Sequence, residues 1–204
     1  QAVMDGNATK AQLESLGVSG VTNNNLAAVQ AALAAATDAT QLDTLTHLQT
    51  VVTAAVDALD AIKQAAENNS ATATSPSLTQ YQTIGVVGVT AGNLAAINSA
   101  LNDADVQGTQ ADTKAEVQAI VDGFKAILDN ADNAATTNPT QQNYIDIGVN
   151  GVDTAQEVSL LGDVIDGKAS TDVDTVAKVQ ALADAVQAVM DGNATKAQLE
   201  SLGV

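Results

Sequence analysis

The stretch Gln187–Val204 reads QAVMDGNATKAQLESLGV and repeats Gln1–Val18 letter for letter. An identity of that length arises neither by chance nor from the general likeness of one helix to another. The chain therefore reads as one full period of a tandem array, Gln1–Val186, followed by the opening of the next period, Gln187–Val204. An internal period has to be respected before any other feature, because it sets the architecture.

Inside the period lies a shorter motif. Gly17-Val18-Ser19-Gly20-Val21-Thr22 corresponds to Gly85-Val86-Val87-Gly88-Val89-Thr90 and to Gly148-Val149-Asn150-Gly151-Val152-Asp153, and a fourth copy opens at Gly203-Val204. The intervals between these copies shorten along the chain, and each period holds three diverged modules. The motif reads as a helix end followed at once by a helix start. The segments Thr9–Leu16, Ser77–Ile84, Thr140–Ile147 and Thr195–Leu202 precede it. Gly17, Gly85, Gly148 and Gly203 fall where a helix stops in the left-handed conformation, which glycine adopts at low cost. That register pairs Val18 with Leu13, Val86 with Tyr81, Val149 with Tyr144 and Val204 with Leu199, the apolar contact of a Schellman ending. Two of these first helices are expected to open on proline at the first helical position, after Ser75 and Asn138 as caps.

The second helices are expected at Asn23–Ala36, Ala91–Asn102 and Thr154–Asp166, capped by Thr22, Thr90 and Asp153. Leu26, Val29 and Leu33 share one helical face, as do Leu94, Ile97 and Leu101 in the next copy. In the third module, Asp153 and Gln156 are the expected capping box. The third helices open on a shared D-T-x-x-x-[LV]-Q, at Asp43–Gln49, Asp112–Gln118 and Asp174–Gln180. Asp43, Asp112 and Asp174 are the expected caps, since their charge suits a helix N-terminus. The separation of motif glycine and aspartate is nearly constant, from Gly17 to Asp43, Gly85 to Asp112 and Gly148 to Asp174. The run from the shared glutamine to the next motif glycine shortens steadily, from Gln49–Gly85 through Gln118–Gly148 to Gln180–Gly203. The first half of each module is fixed. Length varies in the third helix and in the linkers Glu67–Ser77, Asn130–Asn138 and Asp191–Ala194.

These patterns predict an all-α chain, a tandem array of small three-helix bundles of about 55–68 residues within the 186-residue repeat. The expected boundaries are 1–8 for the end of a preceding module, then modules at 9–76, 77–139 and 140–194, then 195–204 for the next first helix. A unit of about 60 residues is marginal alone. Contacts between neighbours are expected to supply the rest, as in solenoids.

Composition narrows the chemistry. Among 204 residues there are one Phe, two Tyr, no Trp and no Cys. Aromatic anchors of a broad core are nearly missing, which points to close-packed Ala-rich helix contacts. All seven basic residues are Lys, and 24 acidic residues bring the net charge to −17. Such a surface repels nucleic acid and anionic membranes, and no apolar run approaches a membrane span. The lack of Cys excludes disulfides and thiolate chemistry, and in an acidic, Arg-free chain it leans towards an exported protein.

No constellation points to catalysis. His47, the only histidine, stands in the first turn of a third helix without a nucleophile–base arrangement around it. Asp103-x-Asp105-x-x-Gly108 opens like a calcium loop, but its twelfth position is Lys114 rather than Glu. Asp103, Asp105, Asp129 and Asp132 are the weak calcium candidates, with Asp166, Asp172 and Asp174 also in or beside loops. The competing reading makes all of them caps and turn residues, and no cofactor is expected. Asn7-Ala8-Thr9 and Asn193-Ala194-Thr195 fit the three-letter glycosylation pattern, a weak signal.

The motifs GVVGVTAGNLAAINSAL, DTKAEVQAIVDGFKAIL and DVDTVAKVQALADAVQAVM resemble repeat regions of giant surface proteins of Gram-negative bacteria. These are the adhesin-like or RTX-type proteins exported by type I secretion. The resemblance is one of repeat style over essentially the whole chain. It implies an extracellular or cell-surface fibre in which repeats serve as extender, filament or biofilm-matrix material. Single modules are also loosely similar to albumin-binding three-helix modules of Gram-positive surface proteins, which supports the bundle more than a binding role. The expected role is structural and non-enzymatic, with neighbouring repeats of the same protein, or other copies in a filament, as partners. The alternative is a binding module that grips a host or matrix protein through an exposed helix face.

Overall fold

The computed structural model describes residues 1–36, 38–69, 75–133 and 137–204, and among them the secondary structure is entirely helical. The helices are α1 (Lys10–Ser15), α2 (Leu26–Ala35), α3 (Leu45–Asn68), α4 (Leu78–Thr83), α5 (Leu94–Leu101), α6 (Lys114–Asn130), α7 (Gln141–Asp146), α8 (Ala155–Asp166), α9 (Val176–Met190) and α10 (Lys196–Ser201). Short 3-10 turns at Ala39–Gln41, Gly108–Gln110, Ala131–Asn133 and Ser170–Asp172 lead into or out of the longer helices.

All four first helices end alike. Gly17, Gly85, Gly148 and Gly203 have φ of +89°, +72°, +89° and +90°. The amide of the following valine donates to the carbonyl five residues back, as in Val18 to Leu13 at 3.1 Å and Val86 to Tyr81 at 3.0 Å. The glycine amide donates three residues back, as in Gly17 to Glu14 at 2.9 Å. That pair of bonds is the Schellman pattern. The same device occurs at Gly6 and Gly192, with φ of +64° and +71°, where Asn7 and Asn193 reach back to Ala2 and Ala188. At Gly192 it ends α9 inside the DGNA linker, and at Gly6 it closes the turn that precedes α1.

The starts differ from expectation by small, systematic shifts. The caps of α4 and α7 are Ser77 and Thr140, not Ser75 and Asn138, so each proline sits just outside the helix. The reason is the reciprocal box: Ser77 pairs with Gln80 and Thr140 with Asn143, as Thr9 pairs with Gln12 in a copy that has no proline. The third helices are capped by Thr44, Thr113 and Thr175 rather than by Asp43, Asp112 and Asp174. The threonine hydroxyl accepts the amide three residues on, at 3.1 Å from His47 and 3.2 Å from Glu116. The aspartate, one step earlier, is left to pair sideways, Asp43 with His47 and Asp174 with Lys178, both at 2.6 Å.

The second helices are corrected too. α2 and α5 begin three residues late, behind Asn25 and Asn93, neither of which makes a side-chain cap bond. Thr22 and Thr90 close a box with Asn25 and Asn93 around the turn that precedes each helix. In the third module the cap is Thr154, not Asp153, and its partner is Glu157, not Gln156. Linker residues 70–74 and 134–136 lie outside the described residues; the flanking helices α3 and α6 run on to Asn68 and Asn130.

Contacts divide the chain into two compact units: residues 1–89 with 107–118, and residues 90–106 with 119–204. In the first, α2 and α4 both pack on α3, and the turn Gly108–Gln110 packs on the far end of α3. Its core joins Ala8, Leu13, Val18, Val29, Leu33, Leu48 and Val52, with Ala2 and Val3 packed against it. In the second, α8 and α10 pack on α9, and α5 also meets α9. A Cβ at Gly123 of α6 would come 2.7 Å from the Asn143 carbonyl of α7, so this close approach requires glycine. In each unit, then, the first helix of one module lies on the third helix of the module before it.

Candidate functional site

The feature common to all modules is a clasp between the two sequence motifs. The glutamine that ends D-T-x-x-x-[LV]-Q projects from the first turns of the third helix towards the residue between the motif glycines. Ser19 N–H donates to Gln49 Oε1 at 2.9 Å, and Gln49 Nε2 donates to the Ser19 carbonyl at 3.1 Å. Gln118 treats Val87 in the same way, at 2.9 and 3.0 Å. Gln180 does so with Asn150, at 2.9 and 3.1 Å. A primary amide is the one neutral side-chain group that can donate and accept side by side, matching a backbone amide as another strand would. The clasp satisfies a turn whose N–H and C=O face away from regular structure. It also ties the glycine stop to the third helix, which explains the nearly constant separation of motif glycine and aspartate. The recurrence of this glutamine in three copies is its only trace in the sequence, which by itself assigns it no role.

Around each clasp lie the caps. In α8 the Glu157 carboxylate accepts from Thr154 N–H at 2.8 Å and Asp153 N–H at 2.9 Å. The bond from the Thr154 amide, with help from its hydroxyl and from Asp153, holds this carboxyl below the usual range. Thr40, through its amide and hydroxyl, does the same for Asp38. His47 sits 2.6 Å from Asp43 on an exposed face, and that bond raises the imidazole's affinity for its proton. Tyr81 and Tyr144 are fully buried anchors whose phenols are pushed up by burial.

The weak calcium candidates are engaged locally. Asp103 accepts from the Asp105 amide at 3.0 Å, and Asp105 accepts from Asn150 Nδ2 at 2.7 Å. Asp129 pairs with Lys125 along α6. Asp132, in the left-handed region at φ 63°, donates its amide to the Lys168 carbonyl at 2.7 Å and accepts from Ser170 N–H at 3.2 Å. Asp166 closes α8, Asp172 belongs to the turn Ser170–Asp172, and Asp174 pairs with Lys178. Among the described residues no group of three or more acidic, His or Cys side chains is placed to hold a metal ion. In both glycosylation-pattern copies the threonine hydroxyl, of Thr9 and of Thr195, serves as a helix cap. No described helix is long and apolar enough to cross a membrane.

The arrangement organises backbone. It connects helix ends to one another, and among the described acidic side chains only Glu157 is buried. No family model, no curated protein and no solved structure matches the chain.

Proposed function

We propose that the chain is a structural segment of a long extracellular bacterial fibre, filament or adhesin, acting as extender or matrix material. The observation that carries this reading is the offset between repeat and packing. α4 lies on α3 and α10 on α9, so each module seats the first helix of the next. The exact copy supports it: Thr9 and Thr195 have φ/ψ of −74°/160° and −75°/161°, and Leu16 and Leu202 share −83°/−5°. The short helix within the string, α1 in one copy and α10 in the other, has the same cap and the same end at both places, although Leu13 is fully buried and Leu199 only half-buried. Each further period can thus repeat the same local structure and the same junction, which is what a strand of indefinite length needs.

Charge fits the role. A net charge of −17 on 204 residues keeps neighbouring strands apart in solution and makes lateral association depend on cations. The role asks for no catalysis and no cofactor. Antibodies raised against the chain test it on intact cells of the source organism. Labelling of surface fibres or of the surrounding matrix is expected. Labelling that needs permeabilised cells would overturn the reading, and saturable capture of one host or matrix protein by the chain would favour a binding module.

A further inference from the structure

The string QAVMDGNATKAQLESLGV occurs twice, with one local backbone and two surroundings. Gly6 and Gly192 are both left-handed, at φ +64° and +71°. The amides of Asn7 and Asn193 reach back to the carbonyls of Ala2 and Ala188 at 2.9 and 3.0 Å. The burial of the two copies differs. Ala8 is 0% exposed and Val18 is 4% exposed, whereas Ala194 is half-buried and Val204 is 85% exposed.

What closes over the first copy is α2. A Cβ at Gly6 would stand 2.5 Å from Ala34 Cβ and 2.9 Å from the Ala34 amide nitrogen, so α2 crosses the linker too closely for any side chain there. Gln30, one turn earlier on α2, donates from Nε2 to the Ala8 carbonyl at 3.0 Å. Val29, Ala32 and Leu33 of α2 share a core with Ala8, Leu13 and Val18. At Gly192 a Cβ would meet nothing within 4 Å. The third module follows the same plan with other atoms, since its second helix α8 lies on the linker ahead of its own first helix. Asn130 Nδ2 donates to the Gly162 carbonyl at 2.8 Å, and Asn138 Nδ2 donates to the Ser159 carbonyl at 3.2 Å. A Cβ at Gly162 would come 2.4 Å from Asn138 Cγ. In both modules a second helix clamps the linker that precedes its module.

We propose that the surface formed by Gly192, Ala194, Leu199 and Val204 is the seat of the second helix of the following repeat, a copy of α2, and that this clamp joins one period to the next. The occupant follows from identity: the same residues one period earlier, Gly6, Ala8, Leu13 and Val18, hold α2 itself. Wherever the period recurs, the string is followed by the residues that make α2. The chemistry suits the seat, because α2 (LAAVQAALAA) carries no charged side chain that burial would penalise. The inference rests on the reading of the chain as part of a tandem array. It deepens that reading: α10 already lies on α9, and the α2 copy locks the DGNA linker between them.

The chain has no cysteine, so Ala194→Cys introduces a single thiol whose alkylation reports on the seat. It is placed in the single-period chain and at the junction of a two-period chain, residues 1–186 followed by residues 1–204, where Ala194 is at once Ala8 of the second period. At the junction the thiol should react at least about tenfold more slowly, a factor equal to about 1.4 kcal/mol. Adding Gly192→Ala at the junction should restore the fast rate, because the new Cβ runs into the α2 copy. In the single-period chain the same addition should leave the rate unchanged. Equal rates for the thiol in the two chains overturn the proposal. So does protection in the single-period chain that grows with its concentration, since another chain would then be the occupant. Gly192→Ala without the thiol gives an independent readout: it should lower the melting temperature of the two-period chain more than that of the single-period chain, and equal falls overturn the clamp. Equal rates combined with surface labelling of cells would leave a fibre whose periods are loosely joined, so the two readings fail separately.

Discussion

Gln118 holds Val87 by both ends of its amide, accepting the Val87 N–H at 2.9 Å and donating to the Val87 carbonyl at 3.0 Å. The two residues lie 31 positions apart, one in the turn after a first helix and the other in the third helix. The same bond pair at Ser19–Gln49 and Asn150–Gln180 makes it a rule of the module. Gln118→Leu keeps the stem and removes both bonds. Each is worth about 0.5–1.5 kcal/mol net, so a loss of about 1–3 kcal/mol is expected in urea unfolding. Gln118→Glu should cost at least as much, because a carboxylate would face the Val87 carbonyl it can no longer donate to. Unchanged unfolding of both variants would remove the clasp from the account.

Glycine stops should differ in sensitivity according to what surrounds them. Gly203 has φ +90° with nothing within 4 Å of a Cβ built there, while Gly85 at φ +72° would push a Cβ into Ala31. Gly203→Ala should therefore carry the left-handed cost alone, about 1 kcal/mol. Gly85→Ala should cost distinctly more, and Gly85→Val more again. Equal melting temperatures for Gly203→Ala and Gly85→Ala would contradict the packing of α2 over the stop.

Cap assignment separates neighbouring residues. Thr175→Ala should destabilise by about 1 kcal/mol through the lost cap. Asp174→Ala removes an exposed pair with Lys178 and should change stability by about 0.5 kcal/mol or less. If the aspartate substitution were the costlier of the two in thermal unfolding, the caps would lie where the bare sequence placed them.

Two side chains give opposite pH signatures. Glu157 has its carboxyl held below the ordinary 4.5 by the Thr154 and Asp153 amides. Its contribution is fully present above that value and is lost as pH falls through the lower folded value. Thr154→Ala should flatten this acid limb. His47, raised above 6.5 by Asp43, contributes below that value and loses its contribution as pH rises through the higher folded value. The imidazole of the wild-type chain, followed by NMR, should titrate above 6.5, and Asp43→Asn should bring it down. A His47 titration indifferent to Asp43→Asn would dissolve the pair.

The hydroxyl of Tyr144 is buried without a hydrogen-bond partner among the described residues. An unpartnered buried hydroxyl costs about 1–3 kcal/mol, so Tyr144→Phe should leave the melting temperature unchanged or raise it. A clear fall would reveal a partner for that oxygen.

Much of the fold was legible because it is local. The glycine stops, the Val–Leu and Val–Tyr pairings and the C-terminal ends of the first helices follow from chain chemistry within six or seven residues, and the repeats state it four times over. The caps of the third helices fall one place later than the sequence suggests because Asp and Thr are both good caps and stand side by side; which one faces the N3 amide depends on where the aspartate finds a cation. The clasp was invisible as a bond, since Gln49 and Ser19 are 30 residues apart, although the repeated glutamine marked the place. The division of contacts, which separates α4 from α5, was not legible either. It depends on which surfaces of Ala-rich helices approach, and Gly108 and Gly123 give no sign in the sequence that they face Glu67 and Asn143.

The most direct test of the central claim, that modules are interlocked, is to excise the second module, residues 77–139, and follow its helicity by circular dichroism. In the whole chain its first helix α4 belongs with α3, while α5 belongs to the other compact unit. Removed from those neighbours, Tyr81 and Ile84, both 0% exposed in the chain, would lose much of the surface that buries them. The account predicts a fragment with little helix at room temperature and no cooperative melt, against a cooperative transition for the full chain. A fragment that is as helical as its share of the whole chain, and that melts cooperatively, would contradict it and return the array to independent beads.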